Sequence, residues 1–244
     1  MSAAHALEQA RVLLKKDRLD CQALGMERLV GLTSPETCGV EISLEISLQI
    51  LQEDWLVQYL IVEPAEDVVA PISSAAGMMS GCTASLLEGE SSAAKNAENT
   101  TKHMVVEEVR HEGMLRSSAL RVLCNSLAVV SEAKLLEKVV KQAGCPLVKE
   151  QLLAALVQDL LGANRPPSVV MAGYKLASAH EAALALRCLR MLGEHCDRCR
   201  AYLQTEEALE RLETARAWGR STHLVLQQEA DKTHSKMTEE VRSC

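Results

Sequence analysis

The residues best suited by type and spacing to chemistry are Cys188, His195, Cys196 and Cys199. Cys196 and Cys199 form a C-x2-C pair, the spacing at which two thiolates reach one zinc ion, and His195 would add a ring nitrogen. A closed structural site draws on a second such pair, and none follows. The same spacing also arises whenever a helix carries thiols on neighbouring turns. A helical metal-binding protein therefore stands as the alternative, and reduced helix cysteines with no metal and no other cofactor as the expectation. The chain has nine cysteines, an odd and irregularly scattered number. Residues Met1 to Arg18 alternate Ala, Leu and charge without an apolar signal core, so the thiols are expected to be reduced and the protein cytoplasmic.

Other chemical constellations fail on spacing. His180-Glu181 begins like a metalloprotease helix, but Leu184 stands where the second histidine is required. There is no glycine-rich phosphate loop followed by Lys-Ser/Thr and no Gly-x-Ser-x-Gly elbow. The pairs Glu107/Glu108 and Glu206/Glu207 read as solvated helix faces. His103 and His111 flank an acidic stretch, in the range where histidine titrates, with nothing to bring them into one site. Trp55 and Tyr59, four apart, share a helical face that would anchor a partner or, as expected, fill core. No catalytic residue emerges; the chain is expected not to be an enzyme, with an enzyme of unidentified class as a further alternative.

The elements that must position these residues are helical. The chain is 244 residues long, 48% hydrophobic and 24% charged, as folded proteins are. Phe is absent, and only two Trp and three Tyr are present, so the alphabet of Leu, Ala, Glu, Gln and Val favours helix over pleated sheet. Six Pro and twelve Gly leave room for long helices. A net charge of −7, without a basic stripe on any helix, points away from nucleic acid. The clusters Lys15, Lys16, Arg18 and Arg187, Arg190, Arg198, Arg200 read as solvated faces. No stretch approaches the ~18 apolar residues of a membrane span, and neither end carries a lipidation signature. No membrane insertion is expected.

Periodicity and caps divide the chain into N-terminal helices (1–64), a flexible Ser/Gly/Ala-rich insertion (65–103), C-terminal helical repeats (104–204) and a polar capping region (205–244). Ser34-Pro35-Glu36 predicts the start of a helix running to Gln52. Ser131 is expected to cap a helix ending before Gly144, Pro146 and Pro166-Pro167 to open two more, and Ser178 to Glu181 to form a capping box. Thr205 starts a charged helix ending near Trp218, and Ser221 a last one.

Four helices carry an apolar triplet at i, i+4, i+7, on one face of a 3.6-residue helix. They are Leu44/Leu48/Leu51, Leu120/Cys124/Leu127, Leu153/Val157/Leu160 and Ala185/Leu189/Leu192. Their first members lie 76, 33 and 32 residues apart (44 to 120, 120 to 153, 153 to 185). The last two intervals match a helical-hairpin repeat.

On these helices the chain resembles the armadillo/HEAT superfamily of α-solenoids. The resembling stretches are 118–127 (Ser118 to Leu127), 151–160 (Gln151 to Leu160) and 181–192 (Glu181 to Leu192), Ala/Leu helices similar to that family's third helix. The resemblance implies an all-α fold: a right-handed solenoid of stacked helical hairpins with a flexible insertion. It implies a non-enzymatic scaffold or adaptor that binds other proteins, in recruitment, cytoskeletal or ciliary assembly, or co-chaperone work. Peptide-binding armadillo proteins carry an asparagine ladder just before the last Leu of this helix. The matching positions here are Ile50, Ser126, Asp159 and Met191, and Asn125 is one residue out of phase. The ladder is absent, so extended-peptide binding by that route is not expected. The expected partner-facing residues are instead Glu45, Arg121, Asn125, Gln158, Arg187 and Arg190. The first helix shows no polar capping face, the pattern expected of a fragment of a longer array.

Overall fold

The structure, a computed structural model, describes residues 2–61, 114–160 and 179–241. Among these residues there are helices and no strand, so the fold is all-α as expected. The helices are α1 (Ala3–Leu14), α2 (Leu19–Leu32), α3 (Pro35–Cys38), α4 (Val40–Leu51), α5 (Trp55–Gln58) and α6 (114–132). They continue with α7 (Leu136–Val140), a 3-10 turn (Pro146–Val148), α8 (Glu150–Asp159), α9 (Ala179–His195), α10 (Asp197–Leu203), α11 (Glu206–Thr222) and α12 (Leu224–Val241). The insertion expected at 65–103, the helix opened by Pro166-Pro167 and the cap at Ser178 lie outside the described residues.

The described residues belong to one unit, with one continuous apolar core from Ala3 to Ala230. Most helices pack on a sequence neighbour: α1 on α2, α3 on α4, α9 on α10 and α11 on α12. Longer-range packing joins α1 to α4, α8 to α9 and α11, and α9 to α7 and α12. Small residues set the closest approaches. A Cβ at Gly25 would lie 3.0 Å from the Ala10 carbonyl oxygen of α1. One at Gly219 of α11 would lie 2.5 Å from the Gln227 nitrogen of α12, so only glycine fits between these two backbones.

Three triplets face the core. Leu120, Cys124 and Leu127, then Leu153, Val157 and Leu160, then Ala185, Leu189 and Leu192 are all at most 2% exposed. The fourth does so only at its last member. In α4 the buried residues are Ser43, Ile46, Ser47, Ile50 and Leu51, whereas Leu44 and Leu48 are only half-buried. This helix is apolar nearly all round, so two stripes competed, and the Ser43 hydroxyl fixes the choice by donating to the Thr33 carbonyl at 2.8 Å.

Several boundaries differ from expectation. The helix expected from Ser34 to Gln52 is broken at Gly39, whose φ of 86° takes the chain out of helix between α3 and α4. Ser131 caps nothing: it lies within α6, and the break comes at Lys134, which takes the left-handed φ of 59°. Gly144 does adopt the positive φ expected of a helix stop, 75°. Thr205 does cap α11, accepting from the Ala208 N–H at 3.4 Å, but α11 runs past Trp218 to Thr222. His223 then separates it from α12, its Nδ1 accepting from the Leu226 N–H at 3.3 Å in place of the cap expected at Ser221.

Candidate functional site

The thiols foreseen as one cluster are distributed over two places. Cys188, on the inner face of α9, is fully buried and is hydrogen-bonded to Cys124 of α6; burial pushes its thiol well above the ordinary range. Cys196 and Cys199 lie at the corner between α9 and α10. Cys196 is the single residue between these helices, in extended conformation (φ −141°, ψ 113°), and its Sγ accepts from the Cys199 N–H at 3.5 Å. The Cys196 side chain is half-buried, whereas Cys199 turns fully into the core.

The Cys199 thiol is pushed up by burial and, secondly, by its hydrogen bond to the Cys196 sulfur. Cys145, just before the 3-10 turn, lies close enough to feel the charge of Cys196, and Cys199 in turn feels that of Cys145. Sequence spacing gave no reason to join Cys145 to this pair, because it lies some fifty residues earlier and comes near only through the folding of the chain. A recess of about 600 Å³ lies against Cys145 and is also lined by Lys149, Glu150 and Arg198.

Arg200 holds the corner in shape. Its Nε donates to the Gly193 carbonyl at 3.1 Å and a terminal nitrogen to the Glu194 carbonyl at 3.5 Å, satisfying acceptors that the end of α9 leaves open. His195 is turned elsewhere, its Nε2 3.1 Å from the Ser131 hydroxyl of α6. Among the described residues, no three His, Cys, Asp or Glu side chains converge as metal ligands would.

A second polar group, missed in the sequence, joins distant parts of the core. Arg116 of α6 pairs with Asp159 of α8 and also donates to the Leu60 carbonyl after α5. Both side chains are largely buried, at 14% and 6% exposure. Burial raises the Asp159 carboxyl to about 6 against the opposing pull of Arg116, with a further upward push from Glu181. One signal was present: Asp159 lies three after Leu156 and seven after Leu152, on the buried stripe of α8.

The residues expected to face partners fall into two groups. Glu45, Arg121, Gln158 and Arg187 are exposed. Asn125 is half-buried. Arg190, at 19% exposure, is drawn inward between Glu194 of its own helix and Glu229 of α12, each at 3.3 Å. The positions matching the asparagine ladder, Ile50, Ser126, Asp159 and Met191, are all buried.

Trp55 and Tyr59 are half-buried against the core. Trp55 Nε1 donates to Glu53, which also takes Arg11, and the Tyr59 hydroxyl donates to the Leu14 carbonyl at 3.4 Å. Both ring residues thus tie α5 back to α1. Of the acidic pairs, Glu206 and Glu207 are exposed in the first turn of α11, with Glu207 paired to Arg211; Glu107, Glu108, His103 and His111 lie outside the described residues.

No family model matches the chain, and no curated protein or solved structure matches it. Among the described residues, no helix is long and apolar enough to cross a membrane.

Proposed function

We propose that this chain is a non-enzymatic protein-interaction scaffold, built as an armadillo-like right-handed α-solenoid and working in the cytoplasm. The supporting observation is the two-sidedness of α6, α8 and α9. Each buries its triplet to within 2% exposure while Arg121, Gln158 and Arg187, one or two residues away, reach solvent. A helix of this kind spends one face on its neighbours and offers the other to a partner. The roles proposed with it are recruitment, cytoskeletal or ciliary assembly, or co-chaperone work; the exposed residues suit a polar, charge-bearing partner surface.

The test joins capture to surface reversal. Native-cell affinity capture should yield a stoichiometric partner that is lost when Arg121 and Arg187 are both changed to Glu, with the melting temperature unchanged. Capture of the protein alone, together with turnover of a small molecule, overturns the scaffold reading. The solenoid itself is tested by hydrogen exchange, where a stacked array shows protection that falls from the middle toward its ends. Uniform, all-or-none exchange argues for a closed bundle.

A further inference from the structure

We propose that Cys196 and Cys199 form a redox-active dithiol, a modification site that closes to a disulfide by exchange with a small disulfide such as glutathione disulfide. At the corner between α9 and α10 the Cys196 sulfur is folded back over the start of α10, where it accepts from the Cys199 backbone N–H at 3.5 Å. Residues three apart at the start of a helix have Cα atoms about 5 Å apart, inside the span a disulfide bridges without backbone movement. The corner is held by the two carbonyl contacts of Arg200, so the pair meets without a search through conformations.

Exposure divides the roles. Cys196 is the half-buried sulfur that an incoming disulfide can approach, and Cys199, fully buried behind it, is screened from direct attack. In the first step Cys196 loses its proton to solvent and its thiolate attacks one sulfur of glutathione disulfide. That S–S bond breaks, a Cys196–glutathione bond forms and one glutathione thiolate leaves. In the second step the Cys199 sulfur gives up its proton and attacks the Cys196 sulfur, expelling the second glutathione thiolate. The two released thiolates take up the two protons, and two electrons pass from the cysteine pair to the small disulfide. Cys145 is a neighbour of the pair and takes no bond.

The experiment incubates the full chain in glutathione disulfide, alkylates the remaining thiols and maps tryptic peptides. Trypsin cuts after Arg198, so the disulfide holds peptide 191–198 to peptide 199–200. That link is the expected result in the unsubstituted protein. In Cys199→Ala the reaction should stop at a glutathione carried on Cys196, and in Cys196→Ala no glutathione should appear on Cys199. A link involving Cys145, glutathione on Cys21 or Cys38 as readily as on Cys196, or reaction only in denaturing urea would each overturn the proposal. Should a variant fail to fold, the peptide map of the unsubstituted protein decides alone.

Discussion

Arg116 and Asp159, 43 residues apart in the chain, meet in the interior with an Nε to Oδ1 distance of 3.2 Å, and the same guanidinium reaches the Leu60 carbonyl. One side chain thus binds the end of α5, the beginning of the described part of α6 and the end of α8. The arrangement costs desolvation of a carboxylate, which a single arginine offsets only in part.

The raised carboxyl gives a pH dependence of definite sign. Asp159 titrates near 6 in the folded chain against an ordinary value of 3.8, so the fold holds its proton more tightly than the unfolded chain does. Its contribution to stability is complete below about pH 4 and is lost as pH rises through about 6, a change of about 3 kcal/mol. Arg116, Glu181 and Cys188 are the titratable or charged groups that sense it. Asp159→Asn should therefore look more destabilising at pH 4 than at pH 7 in urea unfolding, since it removes the proton-linked term and leaves Arg116 unpaired at both. Equal destabilisation at the two pH values would refute this.

Two glycines in helices should respond to alanine in opposite directions. At Gly219 the new Cβ would meet the backbone of Gln227 at 2.5 and 2.8 Å, so α11 and α12 must move apart. We expect a loss of about 1–3 kcal/mol, outweighing the better helix propensity of alanine. At Gly31 of α2 the nearest atom is Thr37 Cγ2 at 3.8 Å, and the same change should stabilise by about 0.5–1 kcal/mol. Thermal unfolding of the two variants side by side distinguishes close packing from simple propensity.

Arg187 and Arg190, neighbours on α9, should separate surface from structure. Arg190→Ala removes one of the two cations paired with Glu229, itself 14% exposed, and leaves Lys232 at 3.0 Å, so it should cost on the order of 1–2 kcal/mol. Arg187→Ala, at an exposed position, should change stability by less than about 0.5 kcal/mol. Chemical denaturation measures both; a loss at Arg187 as large as at Arg190 would mean that this helix face is structural throughout.

Periodicity made the core faces of α6, α8 and α9 legible because each carries one apolar stripe, as in Leu153, Val157 and Leu160. It misplaced α4 because Ile46 and Ile50 form a second stripe beside Leu44 and Leu48, and the deciding bond, Ser43 to Thr33, crosses ten residues and a turn. The break at Gly39 was written in the glycine itself, yet Pro35 gave a stronger signal for a helix continuing through it. Ser131 caps no helix and its hydroxyl is paired with His195 instead, while the ring nitrogen of His223, not Ser221, caps α12. At the candidate site, the Cys196–Cys199 pair was visible as spacing. Cys145, Cys124 and Arg116 were not, because they are brought in by packing between helices.

The contacts that cross from the first sixty residues to the later helices have a consequence for biosynthesis. Glu27 waits for Ser118, Leu60 for Arg116 and Asp54 for Lys149, which lie 91, 56 and 95 residues downstream. At a translation rate of about 5–20 residues per second, the longest of these intervals lasts about 5–20 s. For that time the nascent α1–α5 carries the uncovered underside of Leu56, Val57 and Leu60, which belong to the shared core. Until the later helices emerge, these apolar side chains stay open to association with other chains.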